Sequence, residues 1–485
     1  MHLGEFGRYD AVGLARLVSD GQVTARELGK LTLEAVALVD KDINAVVETY
    51  DERLVNGFAD KLPDGPFRGV PILNKDLLVG EAGCLEESGS PLAQGNRPAE
   101  DSPLWSRFKK AGFFSLGRTT TAEFGVLGVT ENKATGITRN PWDTSRTPGG
   151  SSGGSAAIVA TGAVPVASGG DGGGSIRVPA AYCGIVGLKP TRGRISLGLA
   201  KTDSHVGIST PFALTRSIRD CAYLLDCISG NHDSDLFRSA MPGGPFQHSL
   251  EESCAPLRIA YLTESWYGYD TEERVRSSIL KTVDFLRLEG HDLAEVDISL
   301  NYQEFLDAAL NIWSAGLIVG LKALSERFSR PISPETVMNS TYRMFRHGCQ
   351  LSAEDYIRSL SVFRKLAGEI GRLFENVDLL VLPTTPRVAP PVGYYDINAD
   401  DSLDLRDWHN SIYANDSFAG VFNVSGDPAI SLPIYDMDEK PGQIPVGVQI
   451  VAGFGREDLL LKIARQLETA FPWAEKTPQI HVSRM

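Results

Sequence analysis

The chain has 485 residues, of which 42% are hydrophobic and 22% charged, and its 61 acidic and 47 basic side chains give a formal net charge of -14. This composition is typical of a soluble globular protein and excludes a disordered or fibrous chain. The acidic balance argues against nucleic acid or an anionic membrane as the main partner, because both are bound through clustered Lys and Arg.

The chain also lacks the usual signals for export. Its six cysteines are scattered without a C-x-x-C pair, which favours reduced thiols in a reducing compartment. Residues 1–14 contain no basic region followed by a long apolar stretch. No apolar run approaches the roughly 20 residues that a membrane-spanning helix requires. We therefore expect a cytoplasmic protein that spans no membrane.

Helices and strands alternate along the predicted chain. The spacing of apolar residues predicts helices over 10–40 (two, the second capped by Thr24), 102–112, 218–229, 271–289, 302–375 and 456–470. Strands are predicted over 43–50, 69–74, 113–117, 257–262, 294–299, 378–384, 428–434 and 445–453. This alternation indicates an α/β architecture with a mixed or mostly parallel sheet. Since there is no clear linker or internal repeat, we expect a single domain over 1–485.

Glycine and serine are concentrated between Pro141 and Ser196. Apolar runs such as AAIVA and VPVAS interrupt them, which favours an ordered loop over a flexible linker. Nucleotide binding is disfavoured, because no G-K-[ST] ends a glycine run and no acidic residue closes a strand about 20 residues after GGDGGG.

One interpretation of this segment makes Ser151 a nucleophile. Gly149–Gly153 fits G-x-S-x-G, which would give a Ser-His-Asp esterase. That motif has to follow a buried strand directly, whereas the loop-like NPWDTSRTP precedes it here. His409 is the best candidate base, although its context does not mark it as one. The esterase therefore stays the weaker alternative.

A second interpretation uses two serines and a lysine. G-G-S-S-G-G at 149–154 and D-x-G-G-S-I-R at 171–177 resemble the amidase signature, and Lys75 in LNKDL matches the strand-borne lysine of that family. The segments YCGIVGLKPTRGRIS, FNVSGDPAISLP and PVGVQIVAG match as well. The chain thus resembles the amidase signature family over essentially its whole length. The resemblance implies a mixed central sheet covered by helices on both faces.

The resemblance also implies a catalytic site. It assigns Ser175 as the nucleophile, Ser151 as the proton relay and Lys75 as the ultimate base. A lysine can act as a base only when it is neutral, which requires burial, and the end of a buried strand can provide that burial. The resemblance further implies a cis peptide bond between Gly150 and Ser151, and no metal or organic cofactor.

The glycines before the nucleophile are implied to form an oxyanion hole. Gly172, Gly173 and Gly174 present bare backbone N–H groups beside Ser175. Asp171 and Arg177 flank this loop and are expected to hold it by an ion pair. Many family members read T-D-I-G-G-S where this chain reads G-D-G-G-G-S. We expect these departures to change loop flexibility rather than mechanism.

The expected substrate is a small, apolar amide, linear or cyclic, cleaved through an acyl-enzyme. The motif context looks closest to the 6-aminohexanoate cyclic-dimer hydrolases within the family. The runner-up is the glutamine-hydrolysing amidotransferase subunit of a transamidosome, for which no convincing glutamine-clamping arginine and tyrosine can be located. A non-catalytic binding protein is disfavoured by the intact catalytic residues. The oligomeric state stays open, a homodimer included.

Specificity is expected to reside in 300–350 and 385–420, because a loop fixed by catalysis leaves little freedom for discrimination. Within helix 302–328, Phe305 and Leu317 are better explained as core residues. Trp313 is the candidate for the substrate pocket, since a large rigid ring can wall an acyl site.

Overall fold

An eleven-stranded mixed sheet forms the centre of the computed structural model, which describes residues 1–57, 61–198, 205–434 and 443–485. The strands are β1 Val46–Thr49, β2 Pro71–Lys75, β3 Phe114–Thr119, β4 Glu131–Asn132, β5 Gly136–Ile137, β6 Ala167–Asp171, β7 Val186–Lys189, β8 Thr210–Thr215, β9 Arg258–Tyr261, β10 Asp292–Glu295, β11 Leu379–Pro383, β12 Ala429–Pro433 and β13 Gly447–Ala452. The large sheet has the order β1-β3-β2-β6-β8-β7-β12-β13-β11-β9-β10, and β4 and β5 form a separate hairpin. The prediction of a mixed α/β sheet is confirmed.

Helices cover both faces of this sheet. They are α1 Leu3–Phe6, α2 Ala11–Ser19, α3 Ala25–Ile43, α4 Glu52–Val55, α5 Pro103–Lys110, α6 Gly153–Ala160, α7 Arg177–Cys183, α8 Ile218–Ile228, α9 Glu273–Leu288, α10 Tyr302–Phe328, α11 Asn339–Gly348, α12 Ala353–Leu373, α13 Leu405–Tyr413, α14 Gly420–Ser425 and α15 Glu457–Ala470. Successive side chains of a strand point to opposite faces. Accordingly, Leu379 and Val381 of β11 enter a core with α3, α8, α9 and α15. Leu380 and Leu382 enter a second core with α10, α12 and α14.

Two neighbouring strands position the residues of interest. Strand β2 runs parallel to β6, with Leu73 opposite Ala167. Strand β2 ends at Lys75 and β6 ends at Asp171. Because the carboxyl ends of parallel strands meet at the same edge of a sheet, the lysine and the start of the nucleophile loop are brought together there.

The glycine- and serine-rich segment is more regular than an ordered loop. Its apolar runs form α6, which begins directly after Ser152, and β6. Helix α7 and strand β7 follow Ser175. All eight residues of α6 are buried. The prediction of a loop over 141–196 was therefore wrong for these four elements.

Helix α10 corrects the prediction that no apolar run could span a membrane. With 27 residues, it is long and apolar enough to do so by length and composition, although half of its most apolar window is buried inside the protein. Phe305, Leu306 and Ile312 pack into the second core. A core helix of a soluble protein has the same signature, so this composition alone does not indicate a membrane protein.

The remaining predicted elements agree with the structure to within a few residues. Thr24 caps α3, as predicted, and it forms a capping box with Glu27. Strand β10 lies at 292–295 rather than 294–299. Strand β8 and helices α13 and α14 were not predicted.

Candidate active site

Lys75 is buried at the end of β2, where its ammonium group meets two serines. Its side chain is only 2% exposed. Nζ donates to Ser151 Oγ at 2.7 Å and to Ser152 Oγ at 2.9 Å. Burial lowers the pKa of Lys75 from 10.5 to about 7, although the nearby Asp171 carboxylate acts in the opposite direction. Near neutral pH a large fraction of this lysine is therefore neutral and able to accept a proton.

Ser151 and Ser175 lie on two loops that are joined through the backbone. The Ser152 N–H donates to the Ser175 carbonyl oxygen at 3.2 Å. The peptide bond between Gly150 and Ser151 is cis, which confirms that prediction. Lys75, Ser151 and Ser175 all line one cavity of about 850 Å³. The structure thus brings together the three residues that the sequence assigned to catalysis.

The nucleophile loop is held by a fully buried ion pair. Arg177 donates to both carboxylate oxygens of Asp171, at 2.9 Å each. Burial by itself would raise the pKa of Asp171, but the charge and hydrogen bonds of Arg177 outweigh it and hold that pKa well below its ordinary value. The same carboxylate accepts the backbone N–H groups of Gly174 and Ile176. The pair therefore fixes the loop on both sides of Ser175.

The three glycines of the predicted oxyanion hole differ in their hydrogen bonds. The Gly174 N–H donates to Asp171 Oδ1 at 2.8 Å, so it is not available to bind an oxyanion. The N–H groups of Gly172, Gly173 and Ser175 donate no hydrogen bond within the part of the chain that the structure describes. The backbone at Gly174 has a φ of +129°, and this conformation favours glycine at that position.

Trp313 lies on the wall of the same cavity, as predicted for a pocket residue. Its ring is half-buried and packs against His205 at an interplanar angle of 44°, with the centroids 4.5 Å apart. Phe305 is buried in the second core, as expected. Leu317 is buried in a third apolar cluster, as expected for a core residue, and it also lines the cavity. Residues of 385–420 contribute nothing to the described lining.

Most of the remaining wall comes from loops that the sequence did not single out. These cavity-lining residues lie within 77–96, 124–125, 192–198, 205–209 and 234–237. Asp76 helps to position the first of these loops, because it accepts the N–H groups of Glu87 and Gly89 and pairs with Arg118 at 2.8 Å. Burial raises the pKa of Asp76 to about 6, and Arg118 opposes that shift.

The histidine-based alternative finds no support in the geometry. His409 is buried and packs against Tyr413 at an interplanar angle of 38°, with the ring centroids 4.7 Å apart, and it makes no hydrogen bond to Ser151. Ser151 Oγ is instead bonded to a lysine. In the described part of the chain, no three His, Cys, Asp or Glu side chains are grouped so that they could hold a metal ion.

Two further polar residues act in this site without having been predicted. Ser152, like Ser151, accepts a hydrogen bond from the Lys75 ammonium. Its place in G-G-S-S-G-G is the sequence signal that could have identified it. Asn423 donates to the Asp171 carboxylate and accepts from Arg177. It lies within FNVSGDPAISLP, one of the segments that match the family, but the match alone does not show which residue of the segment contacts the site.

Comparison with known proteins gives matches over nearly the whole chain. The profile of the Amidase family matches residues 27–461. The 6-aminohexanoate-cyclic-dimer hydrolase of Pseudomonas sp. (strain NK87) is 37% identical, covering 97% of this chain and 96% of that protein. A glutamyl-tRNA(Gln) amidotransferase subunit of Clostridium botulinum (strain Alaska E43 / Type E3) is 30% identical, covering 98% of this chain and 100% of that protein.

A solved structure agrees with these matches. The 6-aminohexanoate cyclic dimer hydrolase complexed with substrate superposes with a TM-score of 0.91 at 34% sequence identity. The superposition covers 98% of this chain and 99% of that one.

Proposed function

The chain belongs to the amidase signature family and is an amidase, and we propose that it hydrolyses the C–N bond of a small, apolar amide through an acyl-enzyme on Ser175. The observation that carries this proposal is the 2.7 Å hydrogen bond from buried Lys75 to Ser151, in the cavity that Ser175 also lines. A serine hydroxyl is a weak nucleophile and needs a base within hydrogen-bond reach. A lysine whose pKa is lowered to about 7 can supply that base at neutral pH.

In the first half-reaction, Ser175 Oγ attacks the amide carbonyl carbon. Its proton passes to Ser151, and the proton of Ser151 passes to neutral Lys75. The negative charge that develops on the carbonyl oxygen is stabilised by the N–H groups of Gly172, Gly173 and Ser175. Collapse of the tetrahedral intermediate breaks the C–N bond. The relay returns one proton to the leaving nitrogen, so that a neutral amine departs.

In the second half-reaction, water takes the place of the amine. It attacks the ester carbonyl, and its proton travels to Lys75 by the same relay. Cleavage of the ester returns a proton to Ser175 and releases the carboxylic acid. Every proton transfer runs between side chains of this chain and the substrate or water, so the mechanism uses no metal or organic cofactor.

The wall of the cavity favours an apolar substrate, because aliphatic residues, aromatic residues and glycines together form most of it. Since similar proteins are named for the hydrolysis of the 6-aminohexanoate cyclic dimer, that compound is the first substrate to test. We also propose that the chain forms a single domain and acts in the cytoplasm.

The test is hydrolysis by the purified protein alone. The substrates are the 6-aminohexanoate cyclic dimer, an apolar anilide and L-glutamine, and Ser175→Ala is the control. We expect turnover of at least one apolar amide and none by the control. Turnover of L-glutamine only would contradict the proposal and favour an amidotransferase subunit.

A further inference from the structure

A short segment of the chain, residues 121–125, lies against the relay serine. The Ala122 N–H and the Thr121 hydroxyl both donate to the Ser151 carbonyl oxygen, at 3.2 and 3.1 Å. A Cβ at Gly125 would lie 3.5 Å from Ser151 Oγ, and Gly125 also lines the cavity. The position of Ser151 therefore depends on the position of this segment.

The segment has a backbone conformation that its surroundings have to hold in place. Phe124 has a φ of +51°, in the left-handed region that a bulky side chain rarely adopts. Such a residue persists only where the contacts around it determine the backbone. One of these contacts is the hydrogen bond from the Phe124 N–H to the Ser88 carbonyl oxygen, at 2.9 Å. The neighbouring side chain of Glu123 supplies further contacts.

Glu123 joins this segment to two other parts of the chain. The residue is only 1% exposed. Its Oε1 accepts from the Ser90 hydroxyl and its Oε2 accepts from the Met338 N–H, both at 2.8 Å. Ser90 belongs to the stretch 77–96, which contributes to the cavity wall, and Met338 directly precedes α11. One buried carboxyl group thus anchors the segment to a wall loop and to a helix.

The carboxyl group of Glu123 acts through its hydrogen bonds rather than through its charge. Burial raises its pKa, although three hydrogen bonds and the charge of Lys133 oppose that shift. The groups bonded to it within the described residues are neutral, namely hydroxyl groups and a backbone N–H. A glutamine has the same shape. Its oxygen can accept from Met338, while the Ser90 hydroxyl turns to accept from its NH₂ group.

Given the proposed function, on which this inference rests, we propose that Glu123 is a positioning residue for the proton relay. Its hydrogen bonds hold the segment 121–125 against Ser151. The Ser151 hydroxyl is thereby kept at hydrogen-bond distance from Lys75, which is 2.7 Å here. Glu123 itself is absent from the described lining of the cavity, so it acts through Ser151 and not on the substrate.

A displacement of the segment should also reach Lys75. A Cβ at Gly125 would lie 2.9 Å from Leu77 Cδ2, so the segment packs against the residues that follow the lysine. Burial lowers the pKa of Lys75 to about 7, against the charge of Asp171. Water admitted beside the ammonium group would stabilise its charged form and raise that pKa. The pH dependence of the rate therefore reports the position of the segment.

The experiment measures kcat, KM and the pH dependence of kcat with the full-length protein, on an apolar anilide. In Glu123→Ala we expect kcat to fall by up to about 100-fold, because a small misplacement of a catalytic group has a cost of this order. The change in KM should be smaller. The midpoint of the rise in kcat with pH should move from about 7 to about 8 or above. Glu123→Gln should restore values close to those of the wild type.

Ser90→Ala gives a milder change from outside the cavity. Ser90 is not among the described residues that line the cavity, and the variant removes only one hydrogen bond of Glu123. It should shift kcat and the pH midpoint in the same direction as Glu123→Ala, but by less. Should Glu123→Ala fail to fold, wild-type kcat and midpoint in Ser90→Ala would overturn the proposal.

Asp220→Ala is the matched control for a purely structural role. Asp220 is also a fully buried carboxyl group, and it accepts the N–H groups of Ala11 and Val12 at 2.9 Å each, away from the described cavity lining. Both alanine variants should unfold at a lower denaturant concentration than the wild type. Only Asp220→Ala should keep the wild-type kcat and pH midpoint. The proposal is wrong if Glu123→Ala behaves like this control, or if Glu123→Gln loses as much activity as Glu123→Ala.

Labelling of Ser175 by a fluorophosphonate distinguishes a failure of this inference from a failure of the proposed function. The labelling rate depends on the relay but requires no amide substrate. We expect this rate to fall in Glu123→Ala and to recover in Glu123→Gln. If the wild type hydrolyses no amide, the proposed function falls, and the labelling rates still test the role of Glu123. A labelling rate that Glu123→Ala leaves unchanged would overturn the inference and leave the proposed function intact.

Discussion

Gly172 and Trp313 occupy adjoining space in the wall of the cavity. A Cβ on Gly172 would lie 2.7 Å from Trp313 Cη2 and 2.8 Å from Ser209 Oγ, and real Cβ atoms essentially never approach so closely. The T-D-I-G-G-S form of the signature motif has isoleucine at the position of Gly172. A side chain at this position would therefore collide with the tryptophan ring. The change in loop flexibility that we expect from the sequence stays a prediction.

This relationship predicts that the two positions are energetically coupled. Gly172→Ala alone should lower kcat/KM, because the methyl group displaces either the Trp313 ring or the loop. Adding Trp313→Ala should restore part of the loss. We expect a coupling free energy of about 0.5–3 kcal/mol in a double-mutant cycle. The cycle is measured as kcat/KM on short, long and aryl amides, and Trp313→Ala should change their ranking.

Gly173 provides the matched control for that cycle. A Cβ there would lie 3.4 Å from Tyr413 Oη, which is ordinary contact. Gly173→Ala should therefore show no coupling with Trp313→Ala. If Gly172→Ala and Trp313→Ala are additive as well, the two residues do not compete for space. If all amides fall equally in Trp313→Ala, the ring is core rather than pocket.

The proposed relay predicts that alanine variants of its members lose activity to different extents. Ser175→Ala should remove essentially all activity, since no acyl-enzyme can form. Ser151→Ala and Lys75→Ala should each retain traces, with losses of about 10²–10⁴-fold or more. Ser152→Ala is the control, because Ser152 also accepts from Lys75 at 2.9 Å but has no step in the relay. It should lose less activity than Ser151→Ala.

Covalent labelling checks the same assignment independently of turnover. A fluorophosphonate probe should modify Ser175, and mass spectrometry locates the adduct. Modification of Ser151 instead would contradict the assignment and favour the histidine-based esterase.

Lys75 predicts the pH dependence of the rate. Its pKa is lowered from 10.5 to about 7 by burial, and the working form is deprotonated. The rate should therefore rise from pH 6 to 8 with an apparent pKa near 7 and level off above it. This rise in rate with pH should shift or disappear in the residual activity of Lys75→Ala. Because no metal takes part in the proposed steps, EDTA should leave the profile unchanged. Loss of activity with EDTA would count against the mechanism.

The sequence predicted that Lys75, Ser151 and Ser175 belong to one site, and all three line one cavity. It did not predict the elements of the segment that carries the two serines. Helix α6 is buried on all sides, and a helix of this kind has no polar face to produce an amphipathic pattern. Its two leading glycines also lower its intrinsic helix propensity. Burial by neighbouring elements overrides both effects, and nothing in the local sequence reports it. Thr24 and α3 were predicted because a cap and an amphipathic face are local signals.

The lining of the cavity was harder still to predict from local sequence signals. Trp313 was predicted because the resemblance implies that its helix approaches the pocket and because a large rigid ring can wall an acyl site. The loops at 192–198 and 234–237 come together only in the folded chain, so no local pattern assigns them to the wall. Gly174 was assigned to the oxyanion hole by its place in the motif. Its N–H is taken by Asp171, a hydrogen bond that only the three-dimensional arrangement reveals.

The Asp171–Arg177 pair predicts a large loss of stability together with a loss of activity. Arg177→Met leaves the Asp171 carboxylate buried without its counter-charge. We expect the free energy of unfolding to fall by about 3–5 kcal/mol, measured by denaturant titration. Asp171 has a pKa held well below its ordinary 3.8 in the folded protein, so it contributes stability above that value, which is lost as the pH falls through the acid range. The variant should therefore lose part of this acid dependence.

Arg177→Lys separates charge from geometry in that pair. Lysine keeps the positive charge but cannot donate to both oxygens of Asp171 and also to Asn423 and Gln449, as the guanidinium does. We expect an intermediate loss of stability and a larger loss of kcat than of KM, because the loop that presents Ser175 is loosened while the apolar wall is unchanged. If Arg177→Lys retains wild-type kcat, the pair stabilises the fold without positioning the nucleophile. If Arg177→Met is as stable as the wild type, the carboxylate has found another partner, and the ion pair is not what holds the loop.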